Sequence, residues 1–295
     1  MSGRMAREET RSAWLFLAPS LLLFMVFVLL PVLAAFGISF SSWDLFTAPH
    51  WAGLDNYRQL LFEDKLFHKV MRNTFFYVIW TVPVQMILAF FVALLLNRGV
   101  WGQNALRVIY FLPVVSSTVA VALIWSWIFN SNFGVLNALL SAVGVQDLPG
   151  WLNSSKYALP ALIIVAIWQG LGYSMVLFLA GLQGIPREAY EAGEIDGAVG
   201  WKKHRFITLP LLSPTTFFVA IVSLIGSFQV FDLAFVMTQG GPANATNTIV
   251  YYVYQNAFQF YRMGYASAAA MILFAIILAF TLVQYRLQHR WVHYD

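Results

Sequence analysis

The sequence predicts an all-α integral membrane protein with six transmembrane helices. Three observations carry that prediction. The 295 residues are 60% hydrophobic and only 10% charged, against about 25% charged in soluble domains. Mean hydropathy is +0.70, more apolar surface than a soluble core of this length can hide, so lipid must be part of the solvent. The charges are clustered: none falls between Arg11 and Asp44, Arg72 and Arg98, Lys156 and Arg187, Arg205 and Asp232, or Arg262 and Arg286. Each window accommodates the ~20 apolar residues that a spanning helix needs.

In chain order, the first helix is expected at roughly 14–40. Its apolar run from Trp14 to Phe40 exceeds the roughly 7–15 residues of a signal-peptide core. It carries Pro19 and Pro31 and is followed by no small-x-small cleavage pattern, so it reads as a retained span. The second helix is expected at 74–96 and the third at 108–129. The charge-free window that holds the third runs on to Asp147, but Asn130, Asn132, Gly134 and Asn137 make its second half too polar to span. The fourth is expected at 158–181, the fifth at 208–231 and the sixth at 264–285. Between the last two, TQGGPANATNT cannot sit in lipid as helix, and IVYYVYQNAFQFY is too short to cross alone. That stretch reads as interfacial or re-entrant, with tyrosines at headgroup depth.

Six spans place both ends on one side. The side holding the ends and the loops at 97–107 and 182–207 carries 11 of the 17 basic residues, and the other side carries Arg58, Lys65, Lys69, Arg72, Lys156 and Arg262. The positive-inside rule therefore puts both termini in the cytoplasm, although Lys69 and Arg72 lie at a membrane edge on the opposite side. The expected organisation is a cytoplasmic tail at 1–13, a first helix and extracytoplasmic loop at 14–69, a core at 70–285 and a second cytoplasmic tail at 286–295.

The most charged loop, 185–210, falls on the cytoplasmic face. Pro186 suits the first position of a helix. Glu188, Glu191 and Glu194 follow at spacings of three, which puts them on one broad face near the positive end of the helix dipole. Gly197 supplies the helix stop, and a second helix from Trp201 carries Lys202, Lys203 and Arg205 into Pro210. Helix over 186–195 would reach about 15 Å, enough to enter a groove on a soluble partner.

This segment resembles the EAA-x3-G-x9-I-x-L-P signature of permease subunits of ABC importers, with the type I (MetI-like) permease fold. Glu191, Ala192, Gly197, Ile207, Leu209 and Pro210 match in register, and Gly193 departs where the family has alanine. Glycine there is smaller but costs about 1 kcal/mol of helix propensity. The resemblance implies that 186–195 is the coupling helix, seated in a cleft of a cytoplasmic ATPase, with Glu188, Glu191, Ala192 and Gly193 on it. Gly197 would set the turn, and Ile207, Leu209 and Pro210 would root the loop in the fifth span. Phe231-Asp232-Leu233, Met237-Thr238-Gln239-Gly240-Gly241-Pro242, Asn247-Thr248, Tyr252, Tyr254, Ala257-Phe258 and Gly264-Tyr265-Ala266-Ser267-Ala268 look like the carbohydrate branch of these importers, from about residue 14 onward.

A sugar path needs light hydrogen bonds and aromatic walls, so polar residues inside spans are its candidates. They are Ser117 and Asn130 on the third span, Gln169 and Tyr173 one turn apart on the fourth, and Ser227, Gln229 and Asp232 on the fifth. Serines in spans more often bond their own backbone or join helices. Asp232 suits equally a hydrated helix end and a group facing the path. Gly170, Gly172, Gly181 and Gly184 allow close packing or a break.

The chain has no cysteine and hence no thiolate metal site. His289 and His293 are four apart, but Asp295 is their only nearby acid, so a solvated tail is expected rather than a metal centre. There is no phosphate-cradling G-x-x-x-x-G-K-[ST] loop and no catalytic constellation. The resemblance thus implies no catalytic residue and no cofactor on this chain; ATP and Mg would sit on the partner ATPase. It implies a second permease, two ATPase copies, an extracytoplasmic solute-binding protein, a carbohydrate substrate and no nucleic acid. The location would be a bacterial or archaeal inner membrane. An ion-coupled secondary transporter is the alternative, but such carriers place ionisable groups deep in their spans and show inverted repeats. Neither is visible here.

Overall fold

The computed structural model describes residues 2–99, 101–290 and 292, without the side chains of residues 2–9, 11, 12 and 290. His293 and Asp295, and with them the reading of the C-terminal tail, lie outside the described residues. Among the described residues four helices are long and apolar enough to cross a membrane: Ala13–Ile38, Lys65–Asn97, Ala158–Gln183 and Met263–Leu287. Two bent pairs qualify when each is taken as one span, which makes up to six.

Along the chain, α1 (Ser2–Phe24) continues through a π-helical turn, Met25–Leu29, into α2 (Leu30–Ile38). A two-residue hairpin follows, β1 (Ser41–Ser42) against β2 (His50–Trp51), with Ser41 opposite Trp51. Next come α3 (Asp55–Arg58), α4 (Lys65–Asn97), α5 (Gln103–Val115), α6 (Thr118–Ile128) and α7 (Val135–Ala142). The remainder comprises α8 (Ala158–Gln183), α9 (Arg187–Ile195), α10 (Trp201–Lys203), α11 (Leu209–Leu211), α12 (Ser213–Phe228), α13 (Ile249–Tyr254) and α14 (Met263–Leu287).

The chain divides into two compact units. One comprises the residues up to Glu63 with Val253–Ile272. Asn56 Nδ2 there donates to the carbonyls of Ser39 and Ser41 at 2.9 Å each, and Met263 N–H donates to Trp43 O at 2.8 Å. The backbone passes so closely that a Cβ on Gly264 would lie 1.7 Å from Ser41 O.

The other unit comprises Asp64–Tyr252 and the residues from Leu273 onward. Asp64 caps α4 by accepting from the Leu66 and Phe67 N–H groups at 2.7 and 2.9 Å. The helix therefore begins nine residues ahead of the expected 74, because the charge window locates the lipid-embedded part of a helix and not the helix. A core of Ala89, Ala93 and Leu96 on α4 meets Met175, Phe178, Leu179 and Leu182 on α8, with Ile185, Leu212 and Val219 completing it. Small residues bring these backbones close. A Cβ on Gly172 would lie 2.1 Å from Tyr110 O, and one on Gly181 2.4 Å from Thr215 Oγ1. Gly184 ends α8.

Two expected single spans are broken. The third turns through 100° between α5 and α6. Pro113 removes a helix donor, Ser116 Oγ back-bonds to Leu112 O at 2.8 Å, and Ser116 and Ser117 leave the helical region (ψ 145° and 126°). The fifth begins early, at Trp201, and bends 68° at Leu212 between Pro210 and Pro214. The end of the 239–248 loop is buried in protein, as its polar sequence requires. Thr246, Asn247 and Thr248 have no exposed surface, and Asn73 Nδ2 donates to the Asn244 and Asn247 carbonyls at 2.8 and 3.1 Å.

Candidate functional site

Two regions of the second unit carry the candidate residues. The first is the 185–210 hairpin. Helix α9 starts at Arg187, with Pro186 just ahead of it in extended geometry (φ −58°, ψ 141°). Its end is a Schellman closure: Gly197 N–H donates to Glu194 O at 3.1 Å and Ala198 N–H to Gly193 O at 2.8 Å. Gly197 takes φ +78° to allow it, as the sequence reading expects of a stop.

Glu188, Glu191 and Ala192 are exposed, whereas Gly193 is half-buried. The glutamate face is not uniform, because Glu194, though exposed, receives Lys203 Nζ at 2.8 Å. Lys203 also lies 4.8 Å from the centre of the Tyr190 ring, and Tyr190 Oη is 3.3 Å from the buried Thr208 Oγ1. Ile207 is half-buried and packs on Gly193, where a Cβ would stand 2.1 Å from Ile207 Cδ1. The hairpin is therefore a closed piece. Both of its ends are rooted in one core, since Ile185 at its start and Leu212 just after Leu209-Pro210 belong to the cluster that joins α4 and α8.

The second region is a cavity of about 350 Å³. Tyr77, Thr81 and Gln85 reach it from α4, Gln169, Gly170 and Tyr173 from α8, and Ser223 and Ser227 from α12. Thr118, the first residue of α6, and the stretch from Gln229 to Leu233 complete the wall. Gln169 Nε2 donates to Thr118 Oγ1 at 3.2 Å; Gln85 Nε2 donates to Gly170 O at 3.1 Å and Ser174 Oγ at 2.9 Å. The lining mixes hydroxyls, amides and aromatic rings with the apolar side chains of Ala166, Val222, Val230 and Leu233, and its charged group is the exposed Asp232.

Of the seven path candidates, Gln169, Tyr173, Ser227, Gln229 and Asp232 meet in this cavity. Ser117 and Asn130 do not line it. Ser117 is exposed at the α5–α6 bend, and Asn130 Oδ1 accepts from the Asn132 and Phe133 N–H groups at 2.9 and 3.2 Å, shaping a turn. The reading missed the α4 wall. Tyr77, Thr81 and Gln85 form a polar stripe at spacings of four on one face of an otherwise apolar helix, a signal legible in the sequence.

The family described as binding-protein-dependent transport system inner membrane component matches residues 73–293. The chain is 37% identical to the probable ABC transporter permease protein YesP of Bacillus subtilis (strain 168), over 99% of this chain and 95% of that one. It is 34% identical to the lactose transport system permease protein LacF of Rhizobium radiobacter, over 93% of each. A crystal structure of a bacterial ABC transporter involved in the import of the acidic polysaccharide alginate superposes with a TM-score of 0.82. Identity there is 25%, covering 97% of this chain and 99% of that chain.

Proposed function

The chain belongs to the family of binding-protein-dependent transport system inner membrane components, and from that premise we propose that it forms half of the pore of an ATP-driven carbohydrate importer. The observation that carries the proposal is that the 185–210 hairpin and the cavity walls grow from one packed core. A push on α9 reaches Ile185 and Leu212, and through them the α4–α8 pair, whose turns farther from the hairpin line the cavity. Packed cores transmit displacement because they deform little.

In this mechanism a separate ATPase grips the exposed side of α9 through Glu188 and Glu191. Closure of the nucleotide-bound motor moves the hairpin as one body, with the spans attached to it. The cavity then opens alternately to either side. A solute-binding protein delivers a sugar to it, and Gln169, Tyr173, Ser227, Gln229 and Asp232 supply the hydrogen bonds and the aromatic face, with Tyr77, Thr81 and Gln85 opposite. A hydroxyl-rich, weakly charged lining suits polyhydroxylated ligands. Lactose and alginate, named for two of the relatives, are both carbohydrates. The site residues hold sugar, and ATP and Mg belong to the motor. A second permease completes the pore, both termini face the cytoplasm, and the membrane is the inner one of a bacterium or archaeon.

The test is energetic. The chain is purified with its bound subunits and placed in vesicles, with ATP inside the lumen that faces the hairpin and binding protein on the other face. Uptake of labelled sugar is expected to require hydrolysable ATP and to survive collapse of proton and sodium gradients. Uptake that ignores ATP and follows an ion gradient would establish the secondary-transporter alternative.

A further inference from the structure

Four cationic side chains and a histidine stand at the end of α4 farthest from the hairpin. Lys65, His68, Lys69 and Arg72 occupy one face of its first two turns, and Lys156 stands ahead of α8. Cations at a helix N-terminus oppose its dipole. At this end of the helix they also run against the positive-inside pattern. Neither cost is offset by ion pairing: the structure gives Lys65, Lys69, Arg72 and Lys156 no carboxylate within 4 Å among the described residues. Lys69 instead donates to Ala243 O at 2.6 Å.

Lys69, Arg72, Lys156 and Ser155 line a cavity of about 330 Å³ whose apolar wall is Phe76 and Leu159. The sequence of chemistry along α4 is directional. Below Arg72, the outward side chains Phe76, Ile79, Trp80 and Ile87 are all apolar and exposed, at 43–62% of their surface. From Arg72 to Trp80 the helix rises about 12 Å, close to the roughly 15 Å of one hydrocarbon leaflet. A cationic pocket at the top of an exposed apolar lane matches a molecule with an anionic head and an acyl tail. The sugar cavity lies further along α4, at Tyr77, Thr81 and Gln85, and shares none of the pocket residues.

We propose that the pocket between the start of α4 and the start of α8 binds the phosphate of an anionic phospholipid, with its tail along Phe76 and Trp80. The inference needs only that the chain sits in a membrane, and it holds for any substrate. A Lys or Arg near an anionic membrane surface is worth about fivefold in affinity, and basic pockets between spans bind anionic headgroups.

The experiment uses the full-length chain with whatever subunits stay bound, analysed by native mass spectrometry. Phosphatidylglycerol and phosphatidylcholine with identical oleoyl tails are offered in competition. Wild type is expected to retain phosphatidylglycerol preferentially. Arg72→Gln and Lys156→Gln should each cut that preference about fivefold, while Arg98→Gln, at the other end of α4, leaves it intact. Thermal stability in lipid-free detergent checks that the variants are folded. Inorganic phosphate and glycerophosphoglycerol, which lack tails, should not displace the lipid at millimolar concentration. Displacement by either would overturn the lipid assignment in favour of a soluble-anion site. Unchanged lipid preference in both folded variants would also overturn it. So would intact lipid retention with weakened binding-protein docking, which would make the cluster a seat for an acidic protein surface.

Discussion

A methyl group on Gly193 would stand 2.1 Å from Ile207 Cδ1, so the one position at which the α9 signature lacks its usual alanine is the position on which Ile207 rests. The two residues are a matched pair. Alanine would recover about 1 kcal/mol of helix propensity and would force Ile207 off its rotamer, at about 0.5–1.5 kcal/mol. Gly193→Ala alone is therefore expected to change stability by less than about 1 kcal/mol. Combined with Ile207→Val, which removes the obstructing carbon, it should be more stable than the sum of the single changes. A double-mutant cycle of thermal unfolding measures this coupling; strict additivity would show that the two residues do not share the space.

The glutamates of α9 are predicted to separate by function. Glu191 is exposed, whereas Glu194 is held by Lys203 at 2.8 Å. Glu191→Lys should leave the chain folded and inserted while abolishing co-purification of a nucleotide-hydrolysing subunit. Glu194→Gln breaks an ion pair that is half open to water, worth at most about 1 kcal/mol, and should leave co-purification near wild type. Pull-down from membranes compares the two. Equal losses would mean that the partner does not read the exposed side of α9.

Gly197 at φ +78° is the pivot of the Schellman closure. A β-branched residue there costs roughly 1–2 kcal/mol and unlatches Ala198 from Gly193. Gly197→Val is expected to lower substrate-stimulated ATPase activity of the assembled complex strongly. Gly197→Asn, which tolerates this conformation better, should retain most of it. Wild-type stimulation in the valine variant would rule out a rigid hairpin.

Much of this was legible beforehand. Charge-free windows located all six apolar segments because ionised groups are costly in lipid. Gly197 was identifiable as a helix stop because few other residues adopt its φ without strain. The breaks at Ser116–Ser117 and Leu212 escaped, since a hydropathy window counts apolar residues and is blind to backbone direction. Pro113, Pro210 and Pro214 were the available warnings. The cavity was half legible. Gln169 and Tyr173 fall on one face by spacing alone, but Tyr77, Thr81 and Gln85 lie within a helix read only as apolar. Ser117 and Asn130 are polar for local reasons, at a bend and a turn.

That distinction gives the last prediction, on the cavity. Gln169 joins α8 to Thr118 across the cavity wall at 3.2 Å, and Thr81 faces the same space from α4. Ser117 is one residue from Thr118 yet lies outside the lining. If hydroxyl-rich ligands pass here, Gln169→Ala should lower ATP-driven uptake by roughly five- to thirtyfold, as expected for one or two lost hydrogen bonds of about 1 kcal/mol each. Thr81→Val, nearly isosteric but without a hydroxyl, should lower it by a smaller factor, while Ser117→Ala leaves it unchanged. Basal ATPase activity should hold in all three, because none touches the hairpin. Initial uptake rates at saturating binding protein make the comparison. A Ser117→Ala defect equal to that of Gln169→Ala would move the path to the outer side of the α5–α6 bend.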